Sequence, residues 1–202
     1  MVGGVHSRHE RASQAFYTEG MKRYVIEESP FSYFFTADTR SAPLWLILRV
    51  YIGWTWLGAG WRKLHTDTWV GDNAGQSLTG FIQGAINKAT GDHPAVQEWY
   101  AAFLQNTVLP HVVVWSHMIA WGELFVGVAL IVGFLVGISA FFGVFMNLNF
   151  LLAGTVATNP IMYTIGIGLI LAWRVSGYWG ADRYVLPLLN TYVRPRIHSE
   201  AS

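Results

Sequence analysis

The chain has 202 residues, of which 52% are hydrophobic and only 12% charged, with a formal net charge of +1 and no cysteine. Soluble domains carry about 25% charged residues, so this chain is too poor in solvating surface for a soluble fold and reads as a one-domain integral membrane protein. The near-neutral balance without a Lys/Arg block argues against nucleic acid as a partner. The lack of cysteine excludes disulfides, thiolate metal sites, iron–sulfur clusters and cysteine redox chemistry on this chain.

Residues 1–42 read as a cytoplasmic and interfacial extension. Its start, MVGGVHSRHERASQAFYTEG, has no apolar stretch of the kind a secretory signal peptide carries, so none is expected. Arg11 to Glu28 can be drawn as a short helix stopped by Ser29-Pro30. The aromatic run Phe31 to Phe35 that follows suits a segment lying among lipid headgroups. The four-helix membrane domain spans 43–180 and opens with PLWLILRVYIGWTWLGAGW, Pro43 to Trp61, with Arg49 inside it. Pro43 is tolerated in a first turn, and Gly53, Gly58 and Gly60 leave a face on which a second helix can approach closely. Arg62, Lys63 and His65 follow its end.

Residues 64–110 are too long for a bare loop. Leu78, Phe81, Ile82, Ala85 and Ile86 recur at helical spacing, as do Val96, Trp99, Tyr100, Phe103 and Leu104 after Pro94. They predict two short amphipathic helices that cap the bundle, either as packing alone or as a cover over substrate. The run from His111 to Val156 is almost wholly apolar. A bilayer core needs about 20 such residues per helix, so the run predicts two spanning helices turning near Gly133 to Gly137. A fourth helix is expected from Ile161 to Tyr178, and 181–202 form a tail. The fold class is thus an all-α integral membrane protein, a four-transmembrane-helix bundle with a short helical extracytoplasmic cap between helices 1 and 2.

Basic residues near helix ends set the orientation. Arg8, Arg11, Lys22, Arg23, Arg40, Arg174, Arg183, Arg194 and Arg196 share one side, against Arg62, Lys63 and Lys88 on the other. Both termini are therefore expected in the cytoplasm of a multi-pass cell-membrane protein, with the cap outside.

Ionisable and amide side chains in hydrocarbon are costly and point to function or to helix pairing. At 1.5 Å per residue, Arg49 lies about 9 Å and Glu123 about 14 Å inside the cytoplasmic boundary, within reach of an arginine stem. The depths predict an Arg49–Glu123 ion pair, serving either as glue between helices or as a proton relay and polar grip on a ligand. A second cluster, His117, Asn147 and Asn149, lies toward the outside beneath a mouth of Arg62, Lys63, His65 and His111. The basic mouth serves either an anionic substrate or interfacial snorkelling. His111 and His117 lie on opposed helix faces and no HxxxH or ExxH pair occurs in a span, so neither haem nor metal is expected. Trp54, Trp56, Trp61, Trp115, Trp121 and Trp173 belong by default to interfacial belts and core, yet offer walls for a flat apolar pocket suited to a quinone ring.

Four stretches also resemble a known family. LRVYIGWTWLGAGWRKL (Leu48 to Leu64), WGELFVGVALIVG (Trp121 to Gly133), the asparagine-bearing FMNLN (Phe145 to Asn149), and the turn with Trp173, Gly180 and Asp182 stand in the order and placement of the DoxX/DoxD family, over roughly residues 44 to 185. The resemblance implies a four-helix membrane bundle. For DoxD-type members it implies the membrane subunit of a thiosulfate:quinone oxidoreductase, joining two thiosulfates into tetrathionate and passing electrons to quinone. Glu123 and Arg49 would then carry the catalytic chemistry, and Arg62, Lys63, His65, His117, Asn147 and Asn149 would bind substrate. The partners expected are membrane lipid, quinone and the other subunits of a membrane redox complex. The competing reading is a non-catalytic anchoring subunit of a larger respiratory or photosynthetic assembly. A solute carrier is disfavoured by the lack of an inverted repeat.

Overall fold

The structure, a computed structural model, describes residues 29–193. The helix expected over Arg11 to Glu28 and the tail arginines Arg194 and Arg196 lie outside them. The described part is helical. α1 (Pro30–Thr36) starts on a proline, whose missing N–H costs nothing there. A single turn, Thr39–Ser41, is capped by Asp38, whose carboxylate accepts from Arg40 N at 2.9 Å and from Arg40 Nη2 at 2.6 Å. The hydrogen-bonded guanidinium of Arg40 holds the Asp38 carboxyl below its ordinary pKa. α2 (Ala42–Leu64) then runs unbroken for 23 residues.

The cap holds α3 (Asp67–Val70), α4 (Gln76–Asn87) and α5 (Glu98–Phe103). The second cap helix is not separate from the membrane helix behind it. Leu104–Val108 wind as a π segment and Leu109–His111 as a 3₁₀ turn, and the chain passes straight into α6 (Val112–Val132). Pro110 has no N–H to give to the preceding turn, and the local rewinding absorbs that loss without breaking the helix. The result is one helical run, Glu98–Val132, of 35 residues. It is long and apolar enough to cross a membrane. α7 (Val136–Leu152) and α8 (Asn159–Leu171) are shorter apolar helices. The fourth helix ends earlier than the sequence pattern implies. A turn at Ala172 (φ −95°, ψ 23°) redirects the chain into α9 (Trp173–Ser176), and α10 (Asp182–Val193) follows.

α2 packs along α6, and α7 packs along α6 and α8. The α2–α6 contact is built on glycine. A Cβ on Gly127 would fall on the backbone of Leu57, one on Gly60 on the backbone of Leu124, and one on Gly53 would lie 2.9 Å from Ile131 Cγ1. These contacts fix the antiparallel register: residue 53 lies opposite 130–131, 57 opposite 127, and 60 opposite 120–124. Ile52, Trp56, Val126, Leu130, Ala140 and Leu169 fill the core between these helices. A second core, with Leu78, Ile82, Tyr100 and Leu104, seats the cap.

The polarity of the bundle is turned inside out. Trp54 is 70% exposed, Phe125 63% and Leu171 67%, whereas Arg49, Glu123 and Asn147 are each 1% exposed. A water-soluble fold hides its large apolar side chains and leaves charge outside. This one suits a surround of lipid.

Candidate functional site

The expected Arg49–Glu123 pair does not form. The antiparallel register puts Arg49 beside the α6–α7 turn, about ten residues and so about 15 Å along α6 from Glu123. There the Arg49 guanidinium lies against Gly133 and Gly180 and donates to Ser176 O at 2.8 Å and Trp179 O at 3.1 Å. Gly133 has φ +75°, a conformation open to glycine, and a Cβ on it would strike Arg49. Asp182 completes this end. Its carboxylate accepts from Leu135 N at 2.5 Å and Val136 N at 2.8 Å, capping α7, and its own N–H donates to Gly133 O at 2.9 Å. Asp182 is 1% exposed and supplies the negative charge nearest in kind to Arg49. The sequence reading had it only as part of a turn.

Glu123 instead pairs with Lys63, Nζ to Oε2 at 2.5 Å. Lys63 therefore leaves the basic mouth and turns inward, its ammonium 4.8 Å from the ring centre of Trp69 and 5.8 Å from that of Phe150. Trp69 is brought there by α3, whose Trp69 O accepts from Ser116 Oγ of α6 at 2.6 Å. The spacing of the interface glycines was the signal for this register, since it places residue 63 near 120–124 rather than 49 near 123. The two clusters proposed at separate depths are thus repartitioned. Glu123 belongs with the C-terminal end of α2, and Arg49 stands alone with Asp182.

Asn147 sits in the same stratum as Glu123. Gly143, one turn earlier on α7, faces Val126 at 3.3 Å from its Cβ position, and Met146 Sδ lies 3.4 Å from that of Gly122. Both amide atoms of Asn147 are buried and have no hydrogen-bond partner in the structure. Asn149 turns elsewhere. Tyr100 Oη of the cap donates to Asn149 O at 3.0 Å or Oδ1 at 3.1 Å, and Asn149 Nδ2 donates to Phe145 O at 2.8 Å. The sequence pattern shows Tyr100 only as an apolar member of a cap helix. His117 bonds through Nδ1 to Val113 O at 2.9 Å, within its own helix. His65 bonds to Trp61 O at 2.8 Å and stacks on the Trp61 ring at 4.3 Å, and Arg62 is exposed. Of the four residues expected at the mouth, Arg62, His65 and His111 are exposed and Lys63 is the one that turns inward. Among the described residues no group of three or more His, Asp or Glu side chains forms a ligand cluster.

A groove of about 590 Å³ runs between α6 and α7 from the cap to the turn at Phe134 and Leu135. Its walls are Trp115, Met118 and Phe125 on one side and Ile138, Phe142 and Phe145 on the other. Tyr100, Asn149 and Ser139 are polar residues among its lining. Of the six tryptophans considered for a quinone pocket, Trp115 alone lines this groove, while Trp56 is buried in the core and Trp54, Trp61, Trp121 and Trp173 are exposed. Gly122 and Met146 line it at mid-height, next in sequence to Glu123 and Asn147.

The family model for the small subunit of TQO, DoxD, matches residues 44–194, and so takes in both buried centres and the groove. The chain belongs to the DoxD family. DoxD is the membrane small subunit of thiosulfate:quinone oxidoreductase, so the chain is a subunit with further subunits as its partners. No curated protein and no solved structure matches the chain. Within a DoxD chain the two centres differ in what they leave for chemistry. Arg49 is spent largely on backbone carbonyls, whereas Glu123 follows in sequence the groove-lining Gly122, and its partner Lys63 lies 5.8 Å from the ring centre of Phe150, another lining residue.

Proposed function

We propose that this DoxD chain spans the membrane four times, with both termini cytoplasmic, and binds quinone in the groove between α6 and α7. The observation that carries the reading is the groove itself: an apolar, aromatic-walled channel about 590 Å³ in volume with hydroxyl and amide groups at its cap end. That is the chemistry a quinone needs, a wall for the ring and isoprenoid chain and a donor near a carbonyl. The exposed apolar faces of the helices support burial in lipid. Two thiosulfate ions joining through a new S–S bond release two electrons, and quinone takes both with two protons to become the quinol. Arg62 and His65 at the outer end of α2 are placed to attract the sulfur oxyanion, and Glu123 with Lys63 to handle protons. Arg49 is withdrawn from the chemistry and assigned to the α6–α7 turn.

Gly122→Leu tests the groove. A Cβ at that position meets only Met146 Sδ, at 3.4 Å, so leucine projects into the groove without striking backbone. Short-chain quinone should quench the fluorescence of the intact complex about tenfold more weakly, the equivalent of about 1.4 kcal/mol. Thiosulfate-dependent quinone reduction should fall with the thiosulfate KM unchanged. Wild-type quenching and turnover would refute the groove as the site. An accessory, anchoring subunit of a larger respiratory or photosynthetic complex is the second reading. It is favoured by the way Arg49 is held by carbonyls of its own chain.

A further inference from the structure

Three observations converge behind Gly122. Asn147 is 1% exposed, and neither its carbonyl nor its amino group has a partner. An amide can make about four hydrogen bonds, and burying one with none made is a cost native interiors avoid by supplying water. Glu123, at the same level by register, has its Oε2 on Lys63. Lys63 is 18% exposed at its side chain, with its ammonium on Glu123 and under the ring of Trp69.

We propose that Asn147, Glu123 and Lys63 enclose an internal hydration site that supplies the protons for quinone reduction, a role that rests on quinone occupying the groove. Asn147 holds the water and is a positioning residue, and Glu123 passes the proton. The delivery point is Gly122, a position in the groove wall that lacks a side chain and faces the flexible thioether of Met146. Each proton leaves the Glu123 carboxyl for a quinone oxygen as the electrons arrive from the sulfur donor, and is replaced through water from the Lys63 side. The charged groups facing Glu123 are Lys63 and, farther out, Arg62, both from α2. α7 contributes the neutral Asn147 and α3 the ring of Trp69 over Lys63.

The test uses the intact complex in membranes with a short-chain quinone. Asn147→Leu is close in shape, removes the amide and leaves the groove lining untouched. It should retain wild-type quinone quenching while quinone reduction falls about tenfold. The solvent deuterium isotope effect on reduction should rise. Asn147→Ser, which keeps a hydroxyl and leaves room for water, should recover most of the rate and serves as the measured variant if leucine impairs folding. Wild-type rate and isotope effect in Asn147→Leu, or a loss that Asn147→Ser fails to rescue, would overturn the hydration site. A wild-type complex that shows no quinone quenching would instead overturn the groove reading and this proposal with it.

Discussion

The two buried charged centres of the bundle are handled in opposite ways. At the α6–α7 turn, Arg49 donates to two backbone carbonyls and Asp182 accepts from two backbone N–H groups, so the charges cap helix ends and tie loops together. At mid-bundle, Lys63 and Glu123 meet each other, and the nearby Asn147 amide is left without partners. The first centre spends the two terminal nitrogens of Arg49 and the Asp182 carboxylate on backbone that would otherwise be orphaned, which is what a structural clasp requires, and leaves Arg49 Nε without a partner. The second carries polar capacity beyond what the fold uses. In hydrocarbon such surplus is expensive, and it is tolerated where it serves transport of a proton or ligand.

The contrast can be broken at either end. The largest expected effect is at the clasp. Asp182→Ala strips two N–H groups of α7 of their acceptor and leaves Arg49 without its countercharge, at a cost on the order of 3–5 kcal/mol. Thermal inactivation of the detergent-solubilised complex should show this as a lowered midpoint, with the turnover of the surviving folded fraction near wild type. Turnover lost at unchanged stability would move the chemistry to the Arg49 end.

A smaller stability effect, and a sharper distinction, is expected at mid-bundle. Glu123→Gln leaves Lys63 without its counterion but free to turn outward, so the loss should be about 1–3 kcal/mol. The double change Lys63→Met with Glu123→Leu should restore stability, since a packed apolar pair often replaces a buried ion pair at no cost. Quinone reduction should stay low in both. If the double variant regained turnover together with stability, the pair would be only a bolt between α2 and α6.

The smallest effect belongs to the cap. Tyr100→Phe removes the hydroxyl that reaches Asn149 and should cost about 1 kcal/mol, with a several-fold weaker quinone affinity read from fluorescence titration. An unchanged affinity would separate the cap hydroxyl from the ligand.

The local pattern of the sequence was enough for the helices and for what is unusual about them. Apolar runs, the glycines of α2 and α6 and the prolines near helix starts reproduce the long elements within a few residues, apart from the end of α8, because spacing and backbone preference act over one or two turns. The burial of Arg49, Glu123 and Asn147 was equally legible, since polar residues inside an apolar helix have few places to go. Partner choice was not. Depth counted along one helix leaves the register against its neighbour open by a few residues. Only the contact of Gly53, Gly60 and Gly127 with facing backbone settled that Glu123 meets Lys63 and that Arg49 meets the loops before Asp182. The continuity of α5 into α6 past Pro110, the turn at Ala172 and the groove between α6 and α7 are likewise products of tertiary packing. They depend on how separate helices fit together, and that fit is set by side chains far apart in the chain.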